Sequence, residues 1–435
     1  MKKLMLWVIA FTTLAGASLQ AQDIAGTWQG TLQAGKGLRT VLKITKADSG
    51  WSAMFYSIDQ GPDGMAIPSI TLQDSAVKLS MPAINGSYEG KLSTDGTSIA
   101  GTWTQNNSSH PLNLQRATKE TEWATDSSPH SAQFITVENN VKLEVLDWGG
   151  TGRPLVFLAG LGNTAHAFDK FAPKLTATYH VYGITRRGFG LSSAPTPANG
   201  NYSADRLGDD VLAVLDALKL NRPVLVGHSI AGEELSSIGS RHPEKVSGLI
   251  YLDAGYPYAF YDQSHGNMQI DSIDTRKRLD QFLSGDVKDQ KQFLQDLQTS
   301  MSQLEKDMQE TQKQMASMPA LPPRQGPAPP IPAAITAGEQ KYTEIHVPVL
   351  AIYAVPHNLG RMLNSPMLKD NPTVQAAMKA NDLATTSAQA NAFEAGIPSA
   401  HVVRLPNADH FVFNSNEADV LREMNTFLAT LSDHQ

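Results

Sequence analysis

The sequence predicts an α/β fold with a helical insertion, preceded by a small all-β domain, and three observations predict it. From about residue 134 onward, short apolar runs of strand length alternate with segments of helical spacing. Residues 23–116 show only short alternating patterns broken by glycine and asparagine turns, with no helical period. The third is Pro223-Val224-Leu225-Val226-Gly227-His228-Ser229-Ile230-Ala231-Gly232, an apolar strand running straight into a serine. Small residues stand two positions either side of that serine, Gly227 and Ala231. A strained strand-to-helix turn needs them there, because larger side chains would collide.

Taken in chain order, Lys2 and Lys3 precede an apolar run from Leu4 to Ala17 and small or polar residues through Ala21-Gln22. This is the pattern of a cleavable export signal over 1–21, which places the protein in the periplasm or outside the cell. The run is shorter than the ~20 apolar residues that span a bilayer. In residues 23–116, Trp28, Val41, Leu42, Ile44, Trp51, Phe55, Ile70, Val77, Leu79, Tyr88, Ile99, Trp103, Leu112 and Leu114 supply core positions for about eight strands of a small barrel or sandwich. Gly26-Thr27-Trp28 is echoed by Gly101-Thr102-Trp103, so two strands at the extremes are expected to pair and close the barrel. A polar linker over 117–133 follows.

The α/β domain, 134–435, begins with the strand Pro154-Leu155-Val156-Phe157-Leu158, which ends at Ala159-Gly160-Leu161-Gly162. Next come His180-Val181-Tyr182-Gly183-Ile184 and the turn Arg186-Arg187-Gly188-Phe189-Gly190-Leu191-Ser192. A helix from Ala204 to Leu220, apolar at Leu207, Val211, Leu212, Leu215 and Leu218, leads into the serine strand. Beyond it, Val246 to Leu252 is a strand ending in Asp253, and Val347 to Tyr353 is another. Residues 256–345 between them form an insertion. Within it Leu294, Leu297, Met301, Leu304, Met308 and Met315 make a seam of threes and fours, a long amphipathic helix whose methionines rest on the core or on a second subunit. Pro319 to Pro332 reads as an extended connector. A helix over Pro372–Ala395 precedes the last strand, which delivers Asn407-Ala408-Asp409-His410-Phe411, and a final helix spans Ala418–Leu431.

These ordered motifs resemble the α/β-hydrolase fold family, over residues 134 to 435. The resemblance implies a triad in the chain order serine, acid, histidine, with Ser229 as nucleophile and His410 as base. It also implies an oxyanion hole from the backbone N–H groups of Leu161 and Ile230. Most relatives carry the acid after the second-last strand, but here Ala354-Val355-Pro356-His357-Asn358-Leu359 holds no carboxylate before Asp370. A minority place it at the end of the strand after the nucleophile helix, as Asp253 is placed. Asp370 and Asp409 are the competing carboxylates. His228 packs beside the elbow, and His166, His242, His346, His357 and His401 have surface or core duty. Tyr256, Tyr258 and Phe260, beside Asp253, are expected to line the substrate pocket. Residues 23–116 look like the lipocalin-like domain sometimes fused to exported bacterial hydrolases.

A net charge of −7 argues against nucleic acid or anionic membrane as partner, since either calls for clustered lysine and arginine. The absence of cysteine excludes disulfides, thiolate nucleophiles and cysteine metal sites. A serine, a base and fixed dipoles need no metal or organic cofactor. The expected activity is hydrolysis of a small-molecule carboxylic ester through an acyl-enzyme. The proline iminopeptidases share the elbow and cap, so an amidase or aminopeptidase is the second reading, and a ligand-binding protein on a hydrolase scaffold is the third. Homo-oligomerisation is expected through the 294–315 helix.

Overall fold

The alternation of strand and helix patterns resolves into two compact units, residues 1–127 and 128–435. The computed structural model describes residues 23–431 except 35–36, 48–49, 60–63, 106–107, 126–128, 286, 317–328 and 365–367. The export signal expected over 1–21 lies outside the described residues, as does most of the proline-dense stretch. No helix among the described residues is long and apolar enough to cross a membrane.

The first unit is a ten-stranded antiparallel sheet in which Trp28, Tyr88 and Trp103 are core residues. The sheet's path starts at Gly64–Ile67 and ends at Ser69–Gln73, strands separated in sequence only by Pro68, so the ribbon curls into a nearly closed barrel. Closure differs from the expected pairing of the two Gly-Thr-Trp strands. Gly26–Leu32 pairs instead with Leu38–Ala47 and Leu114–Arg116, and Leu114–Arg116 pairs in turn with Ser98–Gln105. The short strand that intervenes is too polar to read as one by periodicity. The tryptophans are packing groups: Phe55 stacks on Trp103 at 5.1 Å, and Trp28 Nε1 donates to Ile24 O at 2.9 Å.

The second unit carries an eight-stranded sheet in the order Ser131–Glu138, Val141–Gly149, His180–Ile184, Pro154–Leu158, Val224–His228, Gly248–Leu252, Val349–Ala354, Ala400–Leu405. The first strand begins inside the segment read as linker. Pairing is antiparallel across the first three strands and parallel from there on. The five parallel strands from His180–Ile184 to Val349–Ala354 are almost wholly buried, as a sheet covered on both faces requires. Ser203 caps the helix Ala204–Ala217 by accepting from the Arg206 N–H.

Helical segments fill the insertion: Met268–Ser284, Gln290–Ala316 and Pro330–Thr336. The Gln290–Ala316 helix does not rest its methionines on the core, because Met301, Met308 and Met315 are exposed. Its buried positions among the described residues are Leu297, Ser300 and Asp307, a row that shares only Leu297 with the apolar seam. A polar contact joins that row to the neighbouring helix Met268–Ser284: Ser300 Oγ donates at 3.4 Å to Asp274 Oδ2, an oxygen that Lys341 also pairs with. Hydrophobic periodicity therefore identifies the helix but misassigns its packed face.

Candidate active site

Register explains how residues far apart in sequence meet. His228 pairs with Leu252, so Ser229 and Asp253 step off the same edge of the sheet side by side. Both have left-handed backbones, φ +55° and +47°, conformations that cost a non-glycine residue strain and that re-aim the side chain at a strand end. Gly232 makes the elbow possible, since a Cβ there would lie 2.0 Å from the Ala254 carbonyl oxygen. Ala354 pairs with Leu405, so the loops carrying His357 and His410 leave this edge too.

His410 Nδ1 donates to Asp253 Oδ2 at 2.6 Å. Asp253 is buried and also accepts from the Ala354 N–H at 3.1 Å and, on Oδ2, from the Tyr256 hydroxyl at 3.3 Å. Burial alone would raise its pKa; the hydrogen bonds of His357 and His410 outweigh that and hold it down at about 2. Among the competing carboxylates, Asp370 and Asp409 are both exposed. Ser229 itself is half-buried.

His357, read from sequence as a bystander, is the residue that motif reasoning missed. Its Nε2 lies 2.7 Å from Asp253 Oδ2, and its Nδ1 lies 2.8 Å from Asp382 Oδ1 on the helix Pro372–Gly396. The one available signal was its place in the loop where relatives carry their acid. His228 behaves as expected, packed beside the elbow with Nε2 donating to the His410 carbonyl at 3.1 Å. Burial, then the neighbouring His410, lowers its pKa to about 4 and leaves it neutral.

Gly160 closes over the serine. A Cβ there would stand 2.9 Å from His228 Nδ1 and 3.1 Å from Ser229 Cβ, so only glycine lets this loop approach. The following residue, Leu161, is exposed, and Ile230 is buried in the 3₁₀ turn Ser229–Ala231 that opens the helix Gly232–Arg241. Arg186 fixes loop to helix: its Nη2 donates to Ala159 O at 3.0 Å and to Glu234 Oε2 at 2.8 Å, with Nε 2.5 Å from Oε1. Glu233 beside it is fully buried, and neither of its oxygens has a hydrogen-bond partner among the described residues. Burial, then the charge of Glu234, raises its pKa well above the usual carboxylate range.

Of the expected pocket residues, Tyr256 and Tyr258 stand beside the triad, with the Tyr256 ring 6.3 Å from that of His410. Together with Gln269 and Glu339 they line a cavity of about 330 Å³. Phe260 packs instead against Phe393 at 5.6 Å and lines a separate cavity of about 720 Å³; none of Ser229, Asp253 and His410 is in the lining of either cavity. A second imidazole and carboxylate cluster lies elsewhere in the unit. His130 Nδ1 and His166 Nδ1 lie 2.9 and 3.0 Å from the two oxygens of Asp169, with Glu144 3.6 Å from His166 Nε2. In this cluster and in Asp253, His357 and His410, three donor atoms lie within 4.8 Å of one another, near enough to surround a metal ion. The nitrogen-to-carboxylate spacings of 2.6–3.0 Å are those of N–H···O bonds, so a proton accounts for each.

A family model described as alpha/beta hydrolase fold matches residues 153–416, well over half of the chain. Similar proteins include a fluoroacetate dehalogenase from a Burkholderia species, 32% identical over 26% of this chain and 38% of that protein. A 2-hydroxymuconate semialdehyde hydrolase of Pseudomonas sp. CF600 is 33% identical over 30% of this chain and 45% of its own length. The matched stretches thus span less than half of either relative. Among solved structures, a Bacillus anthracis bromoperoxidase covers 69% of this chain and 100% of its own at 18% identity, with a TM-score of 0.43.

Proposed function

Because the chain belongs to the α/β hydrolase fold family, we propose that it is an exported serine hydrolase cleaving carboxylic esters through an acyl-enzyme. The observation that carries this reading is the 2.6 Å bond from His410 Nδ1 to a buried, ionised Asp253 at the sheet edge that also carries Ser229. That bond fixes the imidazole tautomer, leaving Nε2 with a lone pair for the serine proton. Ser229 Oγ attacks the ester carbonyl as His410 takes its proton, and the backbone N–H groups of Leu161 and Ile230 receive the developing oxyanion. His410 then protonates the leaving alkoxide, and a water activated by the same base releases the acid. Export is supported by the charged and apolar pattern of residues 1–21.

A second reading, hydrolysis of a substrate bearing an amine, is favoured by one observation. Glu233 is buried without a hydrogen-bonding partner among the described residues, and Glu339, pushed up to about 7 by burial, lines the cavity with Tyr256 and Tyr258. A buried carboxyl of raised pKa loses that penalty when an ammonium group pairs with it. Turnover of p-nitrophenyl esters of graded chain length, run beside amino-acid arylamides, separates the two. Ester turnover alone supports the first reading. Arylamide turnover that falls in Glu339→Gln supports the second, and no turnover of either contradicts both.

A further inference from the structure

We propose that His357 and Asp382 extend the triad into one hydrogen-bonded chain, in which His357 is a positioning residue that holds Asp253 and, as a cation, places a positive charge beside the catalytic pair. The inference rests on the reading of His410 as general base. Asp253 Oδ2 is shared by two imidazoles, His410 Nδ1 at 2.6 Å and His357 Nε2 at 2.7 Å. The other ring nitrogen of His357 faces Asp382 Oδ1 at 2.8 Å, and its backbone N–H donates to Asp382 Oδ2 at 2.8 Å. A neutral imidazole has a single N–H, so a ring with a carboxylate at each nitrogen is satisfied only with both protons on. Consistently, although burial lowers the His357 pKa, its bonds to Asp253 and Asp382 push it up to about 9.

The backbone keeps the two imidazoles in step. His357 bridges to Ala408, the Asn358 N–H donates to Ala408 O at 2.8 Å, and the Asn407 N–H donates to Pro356 O at 2.9 Å. Asp382 is anchored through its helix, whose Phe393 is buried against Tyr251 and Tyr353. The charged and titratable groups around His357 are Asp253, Asp382, the His410 ring at 5.9 Å, and Tyr256 through Asp253.

An imidazolium at His357 opposes a second positive charge on the same oxygen, so removing it should move the acid limb of activity to higher pH. Asp253 meanwhile stays ionised far into the acid range.

Two variants test this. His357→Gln keeps a donor for Asp253 without the charge, and Asp382→Asn leaves His357 in place without its second anion. The pH dependence of kcat/KM on p-nitrophenyl acetate, and of the rate of fluorophosphonate labelling, should show the acid limb moved up by about one pH unit in His357→Gln. A lowered plateau with an unmoved limb would make His357 merely structural and overturn the proposal. Histidine ¹⁵N NMR on the full chain needs no substrate: His357 should stay doubly protonated through pH 8 and lose that in Asp382→Asn. A neutral His357 at pH 7 would overturn it equally. Wild-type protein that titrates as expected but is not labelled at Ser229 would sink the serine-hydrolase reading while leaving the His357 pairing in place.

Discussion

Asp253 does two things at once: it orients His410 and, through the same oxygen, binds His357. Replacing it with asparagine keeps the shape but favours the wrong imidazole tautomer, a change that costs about 10⁴-fold in turnover in serine proteases. Asp253→Asn should therefore lose activity by that order on any ester the wild type cleaves. Asp370→Asn, at an exposed position, should lose little; steady-state kinetics showing the reverse order would move the acid elsewhere. That Ser229, Asp253 and His410 gather at one sheet edge was legible in sequence because each is at or near a strand's end, and strands of the buried parallel kind stand out as apolar runs. His357 was not, because its loop holds no carboxylate, and the acid it pairs with, Asp382, arrives from a helix 25 residues further on. No local pattern encodes such a pairing.

At the level of elements, the elbow depends on how closely the helix Gly232–Arg241 meets the chain after Asp253. Gly232→Ala would press a methyl against the Ala254 carbonyl, and overpacking of this kind typically costs about 1–3 kcal/mol. Chemical denaturation should register that loss, with a fall in kcat because the displaced backbone carries Asp253; unchanged stability would mean that the elbow yields. The insertion shows what periodicity can and cannot tell. The seam from Leu294 to Met315 marked a helix correctly, yet the packed row is Leu297, Ser300 and Asp307, secured by polar groups that a hydrophobic pattern does not see. Met301→Gln with Met308→Gln should therefore shift stability by no more than about 0.5 kcal/mol. A larger loss, or a change of mass in light scattering, would show that these side chains are covered in solution.

Across the whole molecule, two histidines tie stability to pH on the alkaline side. His357, at about 9, and His166, pushed up to about 10 by Asp169 and Glu144 against the effect of burial, both lie above the ordinary 6.5. Their stabilisation is fully present below about pH 6.5 and is lost as pH rises through 9 and 10. At 1.36 kcal/mol per pKa unit, His357 contributes up to about 3 kcal/mol. The urea midpoint should fall between pH 7 and 10, less steeply in His166→Gln; a midpoint constant over that range would contradict the ion pairs. Asp253 works in the other direction, contributing above about pH 3.8 and losing its effect as pH falls through about 2. The division into units was legible from the change of period near residue 117, but the exact start of the sheet was not, because Ser131–Glu138 is largely exposed and opens on the small or polar residues Ser131-Ala132-Gln133. Residues 128–435 carry every group assigned to the chemistry, together with His130 and the full edge strand. Expressed alone, they should keep turnover on small soluble esters.

The measurement that bears most directly on the account is site mapping of a fluorophosphonate adduct by mass spectrometry on the full chain. One adduct is expected, on Ser229, absent in Ser229→Ala and formed much more slowly in Asp253→Asn. An adduct on another residue, or labelling undiminished in Ser229→Ala, would contradict it.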